Sequence, residues 1–550
     1  ILGFLITAVL LPVLGVVVVA QSEGRVEFKT VLNFWRPFVW PLFFLAFKMT
    51  PTKTEFTELA QSANVIPVYA ELLADMETPV STFAKLDGLA ECFLLESAEN
   101  VDNWGRYSFI GCNPSAVFTL NGKKSVLRFS DSEEIKSESE LGMGPLAPLR
   151  EYIAGRRPAD VKGLPRFFGG AVGYFGYECV GLFEKLPEPK GEKIWDDARF
   201  ALYDDIIVFD NLRHTAKIVA CAHTEKFATP EAAYDDAVAR VERLSKIFKS
   251  ARPVKPAREA SAKRIRLSSN MPREDFIEMV EKAKDYIKYG EAIQIVPSQK
   301  FSAVSDIDPL SAYRALRLIN PSPYMFCLKM PDGCLVGSSP ETLLRFGDGK
   351  AEVRPIAGTR RRGSDENEDM RLADELLSNQ KERAEHLMLV DLGRNDLSRF
   401  CRSGSVQVGD FMKIERYSHV MHLVSDISGI PREGADAFDA LAAAFPAGTL
   451  SGAPKIRAME IINELEPERR GPYGGAVGYL GYGGNMDLAI TIRTLQMRGG
   501  KVSVQAGAGI VFDSDPESEY EETRMKSRAV SRALEMADGI DTLDITEAGR

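Results

Sequence analysis

At 550 residues the chain is several times the length of an ordinary single domain, so one large domain or two to three smaller ones are expected. Its 45% hydrophobic and 27% charged residues are ordinary globular composition and exclude disorder and fibrous repeats. With 68 basic against 78 acidic residues the net charge is −10, which argues against nucleic acid as the main partner.

Ile1 to Ala20 carries no charge and is about long enough to cross a bilayer as a helix. A second apolar stretch, Val31 to Phe47, contains Trp35 and Trp40 but also Arg36, Pro37 and Pro41. The first methionine is Met49, directly before the polar Thr50-Pro51-Thr52-Lys53, and no basic segment precedes the apolar run as a signal peptide requires. Residues 1–48 are therefore expected to be an apolar extension outside the functional protein, without a membrane partner; a membrane anchor or targeting segment is the alternative.

Downstream, residues 54–76 carry helical periodicity interrupted at Pro67. From Thr82 to Leu127 short β-rich runs such as Cys92-Phe93-Leu94-Leu95 take over, and Phe167 to Tyr177, Ala201 to Asp210 and Ala216 to Ala222 continue as strands. Tyr234 to Phe248 reads as a helix. The Pro-, Ala- and Lys/Arg-rich segment after it reads as a linker at 251–268, dividing 49–250 from 269–540. Arg273 to Tyr289 is an amphipathic helix, and helices alternate with strands to about Met536. One motif occurs twice: Gly169-Gly170-Ala171-Val172-Gly173-Tyr174-Phe175-Gly176-Tyr177 returns as Gly474-Gly475-Ala476-Val477-Gly478-Tyr479-Leu480-Gly481-Tyr482. Neither copy has the spacing of a phosphate loop, so glycine-rich strands packed closely against a second sheet are expected, with an old duplication behind them.

The densest charged constellation is Gln380 to Leu392. On a helix Glu382 and Glu385 share a face that continues into Leu389 and Leu392, at the edge of a core. Near the C-terminus Glu519, Glu522 and Lys526 again share one face. Two such helices can hold a hard divalent cation such as Mg²⁺ from opposite sides, the remaining ligands being water and an anionic substrate. Five histidines and seven cysteines without a C-x-x-C leave neither a zinc site nor a disulfide framework, and fit a reducing, cytoplasmic setting. Glycine turns at Pro355–Arg360, Ala447–Lys455 and Gln505–Ile510, with Arg493 in a strand-like Ala489 to Leu495, would suit a small molecule bearing more than one carboxylate.

Several of these segments, from Gly337-Ser338-Ser339-Pro340-Glu341 through Pro355–Arg360, Glu382–Asp396, Ala447–Lys455 and Asp487–Thr494 to Glu519–Lys526, resemble the chorismate-binding family, and within it the anthranilate synthase component I group. Leu94-Leu95-Glu96-Ser97 and Phe168–Tyr177 extend the resemblance over about residues 54 to 537. It implies an α/β (α+β) fold of two large, mainly antiparallel sheets packed as a sandwich with helices outside, with 269–540 as the chorismate-binding region.

The same resemblance implies Glu385 and Glu522 as Mg²⁺ ligands, supported by Glu382 and Glu519. Gly358, Thr359, Tyr473, Arg493, Gly507, Ala508, Gly509 and Lys526 would contact chorismate, and His422 and Thr449 would assist proton transfer at the departing C4 hydroxyl. Relatives that add water tend to place a lysine where this chain has Gln294, and aminodeoxychorismate synthases often place one where it has Ala357. Ammonia addition and anthranilate formation, the first committed step towards tryptophan, are therefore expected, with aminodeoxychorismate synthesis or a membrane-anchored non-catalytic sensor as alternatives. No cysteine lies in a G-x-C-x-G elbow, so ammonia would be free or come from a separate glutamine amidotransferase subunit. Glu96, Ser97, Pro323, Tyr324 and Met325 match the family's pocket for tryptophan as feedback inhibitor.

Overall fold

The computed structural model describes residues 7–10, 16–22, 25–30, 48–86, 88–97, 105–130, 135–137, 144–251, 265–417, 420–537 and 540. The chain divides into two compact units, 1–48 and 49–550. In the first, Thr7–Leu10, Val16–Ser22 and Arg25–Thr30 form a three-stranded antiparallel sheet. The run long enough to span a bilayer as a helix is thus strand over these residues, in keeping with its consecutive β-branched valines. Among the described residues no helix is long and apolar enough to cross a membrane.

The second unit is built, among the described residues, on antiparallel sheets of eleven and twelve strands. At the middle of the eleven-stranded sheet lie, in spatial order, Ala198–Tyr203, Gly170–Phe175, Ala476–Gly481, Met486–Ile490 and Thr342–Gly347. The twelve-stranded sheet runs through Ser298–Val304, Lys501–Gly507, Thr494–Arg498, Gly333–Ser339, Tyr324–Met330, Cys92–Glu96, Tyr107–Cys112, Asp205–Asp210, Thr215–His223 and Val65–Leu73. Rings from the two meet between them, Phe93 against Tyr203 at 4.7 Å and Phe109 against Tyr479 at 6.1 Å. Helices cover the outsides: Pro230–Lys249 packs on Thr215–His223, Pro309–Ile319 on Gly333–Ser339, and Ala437–Ala444 on Thr342–Gly347. The expected mixed sandwich with outer helices is therefore the observed fold.

Both sheets take strands from either side of the basic segment. Most of that expected linker, residues 252–264, lies outside the described residues, and Ser268–Ser269 already forms an edge strand on Phe301 and Ser302.

Three local expectations need correcting. The helical reading of 54–76 holds only for Lys53–Leu59, capped by Thr52 with Glu55; Val65–Leu73 is a strand whose first six residues are buried. Pro67 is tolerated because the neighbouring Met49–Thr50 reaches only Ala70 and Tyr69, leaving its side of the strand unpaired. Ala201 to Asp210 is two strands divided at Asp204, one in each sheet. Asp204 accepts a hydrogen bond from Tyr482 and pairs with His223, which anchors that corner.

The third concerns the glycine motif. Its two copies pair with each other, Gly170 opposite Gly481 and Gly173 opposite Gly478. A Cβ on Gly173 would stand 1.9 Å from Arg199 O, and one on Gly478 2.1 Å from Asp487 O. These glycines admit the neighbouring strands of their own sheet, not the facing sheet.

Candidate active site

Two of the crossings between the sheets run side by side in opposite directions. Gly333–Ser339 in one sheet leads through Pro340 and Glu341 to Thr342–Gly347 in the other, and Met486–Ile490 leads through Thr491 to Arg493 into Thr494–Arg498. Arg493 therefore lies in a connection and not within a strand; its φ of 50° is incompatible with extended backbone. The crossovers are stitched together, Ser338 N donating to Arg493 O at 3.2 Å and Ile490 N to Glu341 O at 3.0 Å.

Beside them opens a cavity of about 940 Å³. The helix Gln380–Ser398 contributes Glu385, and the helix Pro516–Ala537 contributes Glu519, Glu522 and Lys526. Thr449, Tyr473, Arg493, Gly507 and Gly509 complete the expected residues in its wall. Ala508 is buried in a separate apolar cluster with Phe276 and Ile461, so its side chain belongs to the core.

Gly358, Thr359, His422 and Glu382 are not in that lining and form a neighbouring cluster, with His422 in electrostatic reach of Arg493 and Glu382 in reach of Glu385. The strands Ile356–Arg361 and Val420–Val424 pair with a register shift around Gly358, whose φ is 68°. A Cβ there would come within 3.0 Å of a Glu382 carboxylate oxygen. His422 Nδ1 lies 3.0 Å from Gly358 O and 3.0 Å from Thr359 Oγ1. Burial holds its ring below the usual histidine range, so Nδ1–H donates to the acceptor-only carbonyl and the imidazole is neutral. Glu382 accepts from Arg360 at 3.0 Å.

Glu341 is a site residue to which the sequence assigns no role, although its segment carries part of the family resemblance. It lines the cavity at 8% exposure, and burial pushes its carboxyl up to about 8. Thr449 Oγ1 donates to it at 3.1 Å. A carboxyl held protonated in a cavity is a proton donor at neutral pH. In the sequence, only its neighbour Pro340 and the preceding serines hint at a crossover.

Charge in the cavity is unevenly paired. Lys526 Nζ binds Glu522 at 2.7 Å and Gly507 O at 3.0 Å. Burial, followed by the charges of Glu382 and Glu522, raises the Glu385 carboxyl, and burial raises that of Glu519. Arg493 has no side-chain hydrogen bond or ion pair among the described residues, and burial lowers its pKa. A half-buried guanidinium without a counter-ion can accept a carboxylate through its planar fork of donors. Among the described residues no three His, Cys, Asp or Glu side chains are gathered closely enough to cage a metal.

A smaller cavity of about 290 Å³ lies between the sheets. All five residues expected for an effector, Glu96, Ser97, Pro323, Tyr324 and Met325, line it, together with Phe109, Phe167, Tyr479 and Asp487. Glu96 accepts from Tyr313 at 2.7 Å and from Arg317 at 2.9 Å, while Tyr324 donates to Asp487 at 2.9 Å.

The family model of the chorismate binding enzymes matches residues 90–532, most of the chain and all of this site. The chain belongs to the chorismate-binding family. It is 46% identical to anthranilate synthase component 1 of Acetivibrio thermocellus over 496 residues, 89% of this chain and 99% of the relative. The same protein of Pseudomonas aeruginosa is 46% identical over 88% of this chain and 99% of the relative. The crystal structure of anthranilate synthase component I from Streptococcus pneumoniae superposes with a TM-score of 0.67 at 36% identity, covering 79% of this chain and 93% of that one. The menaquinone-specific isochorismate synthase of Escherichia coli shares the fold, with a TM-score of 0.63 at 18% identity over 88% of this chain and 98% of that one. In this chorismate-binding enzyme the paired crossovers thus bring Glu341 and Arg493 into one cavity with Glu385, Glu519 and Glu522 of the two acidic helices.

Proposed function

We propose that this enzyme is the ammonia-using large subunit of an anthranilate synthase, converting chorismate and ammonia to anthranilate, pyruvate and water. The observation that carries the reading is Arg493, half-buried and unpaired among the described residues, in one cavity with Glu341, whose carboxyl burial holds protonated. Arg493 receives the ring carboxylate. Gln294, also in the wall, faces the nucleophile; an amide cannot deprotonate water, which favours ammonia.

As the C–N bond forms at C2, the C4–O bond breaks and the hydroxyl takes the Glu341 proton to leave as water. Thr449 holds the donating carboxyl. Loss of the C2 proton with cleavage of the enolpyruvyl C–O bond aromatises the ring, and the released enolate takes up a proton at carbon to become pyruvate. Of the two protons given up by ammonia and C2, one thus replaces that of Glu341 and the other ends on pyruvate.

Glu385 and Glu522 would hold Mg²⁺, with Glu382 and Glu519 in support. Facing carboxylates without a complete cage fit a hard cation that keeps water and takes substrate oxygens. When bound, it supplies charge neutralisation and Lewis acidity at the substrate carboxylate.

All seven cysteines are buried, which supports ammonia arriving from a separate glutamine amidotransferase subunit. The smaller cavity supports feedback by tryptophan, since it offers aromatic walls and both charge signs to an amino acid. In this reading the reaction is the first step of tryptophan biosynthesis. Incubating the purified chain with chorismate, Mg²⁺ and an ammonium salt tests it: the ortho-amino product anthranilate and pyruvate are expected. A para-amino product would assign the chain to aminodeoxychorismate synthesis, against which Ala357 stands.

A further inference from the structure

A fully buried ion pair lies behind the catalytic cavity and has no part in the chemistry above. Arg470 and Glu466, one helical turn apart in spacing, are 2% and 5% exposed at their side chains. The guanidinium donates through Nε and Nη2 to the two carboxylate oxygens at 2.9 and 2.6 Å. Its remaining contacts go to the cavity wall. Nη1 donates to Leu450 O at 2.7 Å and Nη2 to Val296 O at 2.7 Å. The guanidinium also lies over the ring of Tyr177 at 4.4 Å and near that of Tyr473 at 5.7 Å.

Glu466 extends the same anchorage. Its Oε1 accepts from Ser298 N and Ser298 Oγ at 2.8 and 2.7 Å. With its proton given to the carboxylate, that hydroxyl accepts from Gln505 Nε2 at 2.8 Å. Val296, Leu450, Tyr473 and Gln505 all line the catalytic cavity, and they come from four separate segments. A guanidinium can serve them together because its planar fork offers donors in fixed directions, which a lysine ammonium cannot reproduce.

We propose that Arg470, fixed by Glu466, is a positioning residue that sets the wall of the catalytic cavity and thereby places Thr449 against Glu341. Leu450 O, which Arg470 holds, follows Thr449 directly, so a shift of this turn moves the Thr449 hydroxyl relative to the proton donor. The inference rests on the anthranilate synthase reading, because it concerns the acid step of that reaction.

The test compares the parent chain with Arg470→Lys and Glu466→Gln at saturating chorismate, Mg²⁺ and a fixed concentration of free ammonia. Misplacement of a reacting group by about 1 Å costs roughly 10²-fold, so kcat of folded Arg470→Lys should fall by about that factor. The alkaline limb of its pH profile should move to higher pH, because the Thr449 hydroxyl that holds the Glu341 carboxyl down is withdrawn. Glu466→Gln, which keeps an acceptor for Ser298, should show the same displacement to a smaller degree; it remains the readout if Arg470→Lys fails to fold. A merely structural pair would lower the amount of folded enzyme while leaving kcat per folded molecule and the alkaline limb unmoved, and that result would overturn the inference. An inactive parent chain would instead count against the reading of the reaction.

Discussion

Glu341 and Arg493 stand on neighbouring crossovers, each where the chain leaves one sheet for the other, and each crossover is hydrogen-bonded to the other's flank. That relationship puts a neutral acid and a cation without a partner among the described residues into one cavity. It also joins the two cavities, because Thr342, next to Glu341, lies 3.1 Å from the Tyr324 hydroxyl of the smaller one.

Arg493→Lys should keep the fold and raise the KM for chorismate. A charge-assisted hydrogen bond is worth about 1.5–3 kcal/mol, so the loss of a bidentate contact should read as roughly a 10- to 100-fold increase in steady-state kinetics. An unchanged KM would remove Arg493 from the substrate site.

Glu341→Gln should lower kcat by about 10²- to 10⁴-fold, the usual range for a general acid. In the parent, kcat at fixed free ammonia should fall as pH rises through about 8, since the protonated form is the active one. The carboxyl is raised in the folded state, so its stability contribution is fully present below its ordinary value of 4.5 and is lost as pH rises through about 8. The glutamine variant should therefore gain thermal stability over the parent at alkaline pH, measured as Tm against pH.

Glu385→Gln and Glu522→Gln should each abolish turnover without unfolding the chain, because Glu385 is only partly buried and Glu522 borders the cavity. Mg²⁺ should raise the Tm of the parent, by about 2.7 kcal/mol of stabilisation at a hundredfold excess over its Kd. If the variants showed the same Mg²⁺-induced shift, the ion would be held elsewhere.

Ser97→Phe should fill the smaller cavity and relieve inhibition by tryptophan, with activity in its absence largely kept. Inhibition curves at several tryptophan concentrations measure this. Tryptophan would bias the enzyme only by binding an inactive arrangement more tightly, and moving a population from 1:99 to 99:1 takes roughly 10⁴-fold preference. Undiminished sensitivity would place the effector site elsewhere.

Turnover by the chain alone should occur with ammonium salts at mildly alkaline pH and not with glutamine. Glutamine-dependent anthranilate formation would show an amidohydrolase activity within the chain and exclude a separate supplying subunit.

Much of the site is legible in the amino-acid sequence. The acidic pairs around Glu385 and Glu522 are read from helical spacing, a local property of 3.6 residues per turn, and the residues expected in the smaller cavity from motifs that stay contiguous. The crossovers at Asp204 and Arg493 are not legible there, because a strand that changes sheet keeps the same β-rich composition on either side of a break of one to three residues. Pairing between the copies of the glycine motif joins residues about three hundred positions apart, beyond the reach of any local pattern. The protonation of Glu341 and the lack of a partner for Arg493 among the described residues depend on which groups exclude water around them. Desolvation belongs to the assembled cavity and not to the residue, so only the tertiary structure decides them.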